Sequence, residues 1–445
     1  MTLVSFRVGN FLSINEPIDI MFIPSDDQSH PEQLTNDGFL KTAALFGANA
    51  SGKTNITLSF DYLKYLVTGE HSELIPYKLK GRLNGDVSCF ASSNTNTHFE
   101  LYHTGNFNYH YTLDFDSFNN KVIFEKLSRV QPDGKDVPLF TREKTHITLD
   151  SHLEDVDNIF NAIKSFNDES KPLISLKNEN ERPLFYFLST YREIESFNIL
   201  SSSDYDSFDL IIEKAHQALD TLLKCLADTT DVTGYQLVKK PNLPDGDPIA
   251  FECDSFIKYS RSHMIVIKMN TDGSTEVSEV CFCIGDTQTF LELNQLSSGV
   301  LRIIDIVMRI LSTTPNSLLE KAINRISEIT SEKQSGIHFA SYLRPVSMIY
   351  IYDEICYALH PSIVNKLLKN LFEIDRTAQF VITLHETEIM SKEVLRPDEF
   401  WLVNKKKNTT FLESLDSYEL PSGDLKSDYL NNRFEGIPRF RKVVH

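Results

Sequence analysis

The sequence predicts an α/β protein: a mixed sheet with a parallel core, an antiparallel β-meander beside it, and helical insertions. Three observations carry that expectation. The apolar run Ala43 to Phe46 leads through a glycine-bounded loop, Gly47 to Thr54, into the helix-like stretch Asn55 to Val67. Thr97 to His103, Phe107 to Phe115 and Lys121 to Val130 are rich in Tyr, Phe and Val and read as successive strands of a meander. From Leu296 onward strands and helices alternate, which means a parallel sheet with covering helices.

Taken in order, Leu3 to Val8 alternates apolar and polar residues, and Ile18 to Ile23 does so less cleanly, suggesting a short antiparallel pair ahead of the first parallel strand. After the meander, Ser151 to Arg182 is polar and helix-like, and Leu184 to Ser189 reads as a buried strand. Asp206 to Asp228 is an amphipathic helix candidate, with Leu210, Ile211, Ala215, Ala218, Leu219, Leu222 and Leu223 as its apolar face. Pro241 to Pro248 is a turn by composition, and His263 to Met269 and Val277 to Ile284 are strand-like. The late region supplies a helix from Leu296 to Leu311, strands at Met348 to Tyr352 and Gln379 to Leu384, a helix at Pro361 to Ile374, and short strands at Phe400 to Val403 and Thr410 to Ser414. The parallel fold is therefore split into residues 1–150, an insertion at 151–295, and its completion at 296–445. A chain of 445 residues exceeds the size at which one core keeps growing, which suits that division.

A net charge of −18 excludes a surface that is basic overall. The six cysteines follow neither a zinc nor a disulfide pattern; Cys281 and Cys283 read as alternating strand positions with both thiols buried. No secretory signal and no run of membrane-spanning length is visible, so the expectation is a cytosolic protein without membrane contact.

Gly47-Ala-Asn49-Ala-Ser51-Gly52-Lys53-Thr54, set between a strand and a helix, has the spacing of a phosphate-binding loop. Its glycines let backbone N–H groups and the helix N-terminus converge on one polyphosphate; Lys53 reaches the β/γ-phosphates and the Thr54 hydroxyl ligates Mg²⁺. A second acidic element is needed, and the strand ending at Tyr352 runs into Asp353 and Glu354. Asp353 is expected at Mg²⁺ and Glu354 as the general base on water. Leu296-Ser297-Ser298-Gly299-Val300, just before a helix, suits a phosphate-facing helix N-terminus, although a plain serine N-cap reads the same way. His385 ends the strand Val381 to Leu384, where it would touch the γ-phosphate.

With those motifs in that order, the chain resembles the ABC-type, SMC-like AAA family ATP-binding proteins of the OLD-related class, found in bacterial anti-phage operons. The resemblance rests on Phe46 to Asn55, on Asp353-Glu354 with Leu359-His360-Pro361, on Thr383 to Thr387, and on Tyr429 to Pro438. It implies an ABC ATPase head that uses ATP and Mg²⁺ and works as a head-to-tail dimer. Ser297 would then act in trans, with Ser298 and Gly299 beside it, and His360 would sit in the loop linking the two sites. It also implies a partner effector such as a nuclease. Ser298 and Val300 stand where the commoner signature has Gly and Gln, and no glutamine lies between Gln33 and Gln131, which leaves the usual Q-loop ligand of Mg²⁺ unassigned.

Rival readings are a slow nucleotide-dependent scaffold and a protein that acts on DNA directly. A built-in Toprim nuclease is disfavoured because only Phe400 to His445 follows the last motif. Lys405, Lys406 and Lys407 read as a solvated turn; they and Arg439, Arg441 and Lys442 are where any DNA phosphate contact is expected. Asn404 to Lys407 lacks the aspartate that reads guanine. The polar insert Pro315 to Pro345 reads either as a partner-docking element or as a solvated helix-turn.

Overall fold

The computed structural model describes residues 2–68, 87–89, 96–105, 108–149, 163, 166–176, 194–198, 210–240, 255–260, 262–270, 274–285, 289–313, 348–357, 359–374, 378–418, 424–431 and 433–434. In chain order the elements begin with β1 (Thr2–Gly9), β2 (Ile18–Met21), β3 (Thr42–Phe46), α1 (Lys53–Thr68), β4 (Asn96–Thr104), β5 (Asn108–Asp116), β6 (Lys121–Val130), β7 (Asp136–Glu143), β8 (His146–Leu149) and β9 (Ile194–Asn198). Then come β10 (Leu210–Glu213), α2 (Ala215–Thr229), β11 (Val232–Lys239), β12 (Ser255–Tyr259), β13 (Met264–Met269), β14 (Thr275–Ile284), β15 (Phe290–Leu291) and α3 (Ser298–Thr313). The last are β16 (Ile349–Asp353), α4 (Pro361–Ile374), β17 (Gln379–Leu384), β18 (Phe400–Lys406), β19 (Thr409–Ser414) and α5 (Leu425–Leu430).

These elements divide into two compact units, the second formed by the described residues of Ile199–Lys321 and Cys356–Arg376 and the first by the remainder. The first unit has two sheets. One is antiparallel, in the order β2-β1-β4-β5-β6-β7-β8. The N-terminal pair and the meander, which read as separate features in the sequence, are thus one sheet, because β1 pairs with β4 as well as with β2. The other sheet has the order β19-β18-β3-β17-β16-β9, parallel from β18 through β9 and antiparallel at the β18–β19 hairpin.

Helix α1 shares one apolar core with both sheets. Its Ile56, Phe60 and Leu63 cluster with Phe6, Phe99 and Tyr111 of the antiparallel sheet and with Ile349, Val381 and Val403 of the parallel one. Phe6 and Phe60 stack with ring centroids 3.7 Å apart. A helix covered on two sides carries apolar residues around most of its circumference. The two sheets are also tied directly. Gln379, fully buried at the start of β17, accepts a hydrogen bond from Leu3 N at 2.8 Å and donates to Leu3 O and Leu40 O at 2.9 and 3.1 Å. Glu125 on β6 accepts from Leu173 N, Ile174 N and the Tyr111 hydroxyl, so it pins the turn Leu173–Ser175 onto the meander; burial pushes its carboxyl up to about 7.

The second unit carries an antiparallel sheet in the order β10-β12-β13-β14-β11, with β15 on β14, and packs α2 and α3 against it. Here one expectation is corrected. Leu210 and Ile211 do not open a helix; they belong to β10, paired with Tyr259 and Lys258. Three contiguous apolar residues, Leu210 to Ile212, suit a strand, and Lys214 in the left-handed region at φ 53° separates it from α2. Cys281 is buried as expected, whereas Cys283 is half-buried. Within 166–176 a 3-10 turn stands in place of the expected helix. Apart from Ile163, which is helical, the rest of Ser151 to Arg182, together with Leu184 to Ser189, Pro241 to Pro248 and Pro315 to Pro345, lies outside the described residues. Among the described residues no helix is long and apolar enough to cross a membrane.

Candidate functional site

The parallel sheet brings three strand ends to one edge. Leu384 pairs with Phe46, and Tyr352 with Ile382, so the carboxyl ends of β3, β17 and β16 finish side by side. In open parallel sheets this edge is where ligands bind. The chain leaves β3 through Gly47 to Gly52 and enters α1 at Lys53, placing the loop over that edge.

The loop needs its glycines for space and for backbone angle. A Cβ on Gly47 would lie 2.3 Å from Val403 O, and one on Gly52 would lie 2.0 Å from Thr410 Oγ1; Gly52 is also at φ +113°. Asn49 is exposed at the loop's crest, followed by Ala50 at φ 63°. Ser51 Oγ is buried with no hydrogen-bond partner among the described residues, an unfilled donor on the loop itself. Lys53 is buried and its Nζ donates to Gly47 O and Ala48 O at 2.6 and 3.0 Å. Burial lowers the Lys53 ammonium to about 8, against the pull of Asp353 and Glu354.

The acidic pair is joined to the loop by hydroxyls. Thr54 Oγ1 donates to Asp353 Oδ2 at 2.9 Å, and Thr383 Oγ1 donates to Asp353 Oδ1 at 2.8 Å. Thr383 Oγ1 in turn accepts from Glu354 N at 2.7 Å, and Glu354 stands at φ 59°. A left-handed, non-glycine residue at a strand end costs on the order of 1–3 kcal/mol and persists only where the surroundings hold it. Here Thr383 holds it, turning the Glu354 carboxylate toward His385, whose Nε2 lies 3.5 Å from Glu354 Oε1. Burial and the Lys53 charge both lower the His385 pKa below its ordinary 6.5, so the imidazole is neutral at pH 7.

Lys53, Thr54, Asp353, Glu354 and His385 therefore sit together in the first unit. Thr54 and Asp353 offer oxygen donors 2.9 Å apart, the donor type that suits Mg²⁺, which keeps its remaining positions for water and phosphate. Sequence reasoning assigned no role to Thr383, which entered only as the first residue of the Thr383 to Thr387 motif. It also passed over the outer support of the loop. There Thr410 Oγ1 donates to Ser51 O at 2.9 Å and lies 2.6 Å from Ser13 Oγ, which accepts from Asn55 Nδ2 at 2.6 Å.

Ser297, Ser298 and Gly299 belong to the second unit, at the N-terminus of α3. Ser297 and Ser298 are exposed, and Gly299 is half-buried. Ser297 Oγ accepts from Val300 N at 3.4 Å, so the serine is the N-cap of this helix, with its N-terminus open to solvent.

A phosphate-loop protein of the α/β class is what this edge and its residues define. The chain belongs to the family described as "AAA domain, putative AbiEii toxin, Type IV TA system", whose model matches residues 43–391, from β3 past His385. The comparison with curated proteins returns no match. Among solved structures the chain is similar to an Smc head bound to the C-winged helix domain of ScpA, at 12% identity and TM-score 0.42 over 94% of this chain and 99% of that one. It is also similar to the SMC head domain from Thermotoga maritima, at 11% identity and TM-score 0.37 over 93% and 99%. A third is the Pyrococcus furiosus Smc head with an extended coiled coil, bound to the C-terminal domain of ScpA, at 12% identity and TM-score 0.39 over 94% and 97%.

Proposed function

We propose that this protein binds ATP with Mg²⁺ at residues 47–54, hydrolyses it to ADP and phosphate, and uses ATP to close two copies head to tail. The observation that carries the reading is the Thr54–Asp353 hydrogen bond of 2.9 Å, which joins the phosphate loop to the acidic strand end across 299 positions of sequence. Each residue then has a task. Lys53 turns from its loop carbonyls to the β/γ-phosphates, where its charge opposes theirs. Thr54 and Asp353 hold Mg²⁺, which when bound neutralises phosphate charge as a Lewis acid. Glu354 takes the proton of the attacking water, and neutral His385 beside it donates a hydrogen bond at the γ-phosphate. Ser297, Ser298 and Gly299 of one copy complete the site of the other through the N-terminus of α3.

The AAA-domain family supports ATP chemistry, and its description names a toxin of a toxin–antitoxin system. With the resemblance to anti-phage operon proteins, that supports a cytosolic ATPase whose dimerisation restrains or releases an effector such as a nuclease. Titration calorimetry and phosphate release test the core of the reading. Lys53→Ala is expected to weaken ATP binding by about a hundredfold or more, since a charge-assisted contact to phosphate is lost. Glu354→Gln is expected to bind ATP within a few-fold of the native protein while turnover falls by about 10²–10⁴. Native affinity in the first variant, or native phosphate release in the second, would falsify the assignment.

A further inference from the structure

The β18–β19 hairpin carries Lys405, Lys406 and Lys407 in a chain of net charge −18, and all three are exposed. Their neighbours in space are the phosphate loop. Val403 O and Thr410 Oγ1 close against Gly47 and Gly52, and Thr410 donates to Ser51 O at 2.9 Å. Lys405 is paired directly opposite Thr410, so the two side chains leave the same face of the hairpin with Cβ atoms about 4.5–5.5 Å apart. That face is the α1 side: Trp401 and Val403, four and two residues before Lys405, share the apolar cluster of Ile56 and Phe60. Since Leu402 is level with Phe46, Lys405 stands about 10 Å beyond the end of β3, beside the loop rather than below it. The other lysines differ. Lys406 faces the opposite side, with Nζ 5.9 Å from the Phe411 ring centroid, and Lys407 is at the hairpin tip at φ 49°. No carboxylate pairs with Lys405 among the described residues.

We propose that Lys405 is a second phosphate-binding cation of the nucleotide site, a deepening that rests on the ATP reading above. Its place along the ligand follows from what the hairpin touches. Thr410 and Ser13 meet the loop at its Ser51 and Asn55 end, Asn55 Nδ2 donating to Ser13 Oγ at 2.6 Å. There the first amides of α1 face the α- and β-phosphates, whereas Lys53 serves the β/γ end. Lys405 therefore contacts the α-phosphate, a group that ADP and ATP share. Calorimetric titration of the full chain with Mg²⁺ and either ADP or a non-hydrolysable ATP analogue tests this. Lys405→Gln is expected to weaken both ligands alike, by about five- to tenfold, Lys405→Arg to restore them, and Lys407→Asn to stay within about twofold of native. Native affinity in Lys405→Gln beside a dead Lys53→Ala overturns the Lys405 assignment and leaves the ATP site standing. Equal losses in Lys405→Gln and Lys407→Asn overturn it too, showing diffuse charge instead of a contact. No binding by the native chain removes both readings.

Discussion

At the scale of single residues, the electrostatics of Lys53 make a pH prediction. Burial holds its ammonium at about 8, below the ordinary 10.5. Between those values the unfolded chain binds the proton that the folded chain has lost, so this group's contribution to stability rises with pH across that window. Ligand binding runs the other way. A polyphosphate beside Lys53 favours the charged form, so affinity is full below pH 8 and falls above it, by up to about tenfold per pH unit. Calorimetry at pH 7 and pH 9, in two buffers of different ionisation enthalpy, should find close to one proton taken up per nucleotide at the higher pH only. Affinity that is flat to pH 9.5 would sink this account. The positions of Lys53, Asp353, Glu354 and His385 were legible as motif spacing. Thr383 was not, because a threonine in an apolar strand announces only a β-branched side chain; its hydroxyl acquires a role through the register that sets it beside Asp353.

At the scale of elements, periodicity located most of the strands and helices around the site, and α4 and β17 match their expected bounds. It failed where two elements abut without punctuation. The apolar face from Leu210 to Leu223 fits one continuous helical stripe, yet its first two residues, Leu210 and Ile211, belong to β10, because the edge of β12 offers them backbone partners. β9 was missed outright; its pairing partner, β16, lies 151 or more positions later and leaves no local trace. The tie between the two sheets of the first unit gives a stability prediction. Gln379→Leu strips three buried backbone groups, Leu3 N, Leu3 O and Leu40 O, of their partner. Unsatisfied buried groups cost roughly 1–3 kcal/mol each, so urea unfolding should show a loss of at least about 3 kcal/mol. A loss below about 1 kcal/mol would mean that this join contributes little.

At the scale of the whole molecule, the phosphate loop and acidic pair belong to one compact unit and the α3 N-terminus to the other. If ATP joins two copies through these surfaces, Glu354→Gln with ATP should run as a dimer in light scattering. Adding Ser297→Arg, which sets a bulky side chain at the α3 N-cap, should return it to a monomer while leaving ATP bound. A dimer that survives this change would exclude the head-to-tail arrangement. What the sequence by itself determined is what depends on neighbours along the chain: strand alternation, the glycines a tight loop requires, the acidic pair at a strand end and the order of the motifs. The tertiary structure alone decided that the N-terminal pair continues the meander, that Thr383 joins the Asp353 carboxylate to the Glu354 backbone N–H, and that a lysine-bearing hairpin stands beside the phosphate loop. Such pairings join residues up to 359 positions apart, and a choice of partner and register is made only when the whole chain competes to bury its apolar faces.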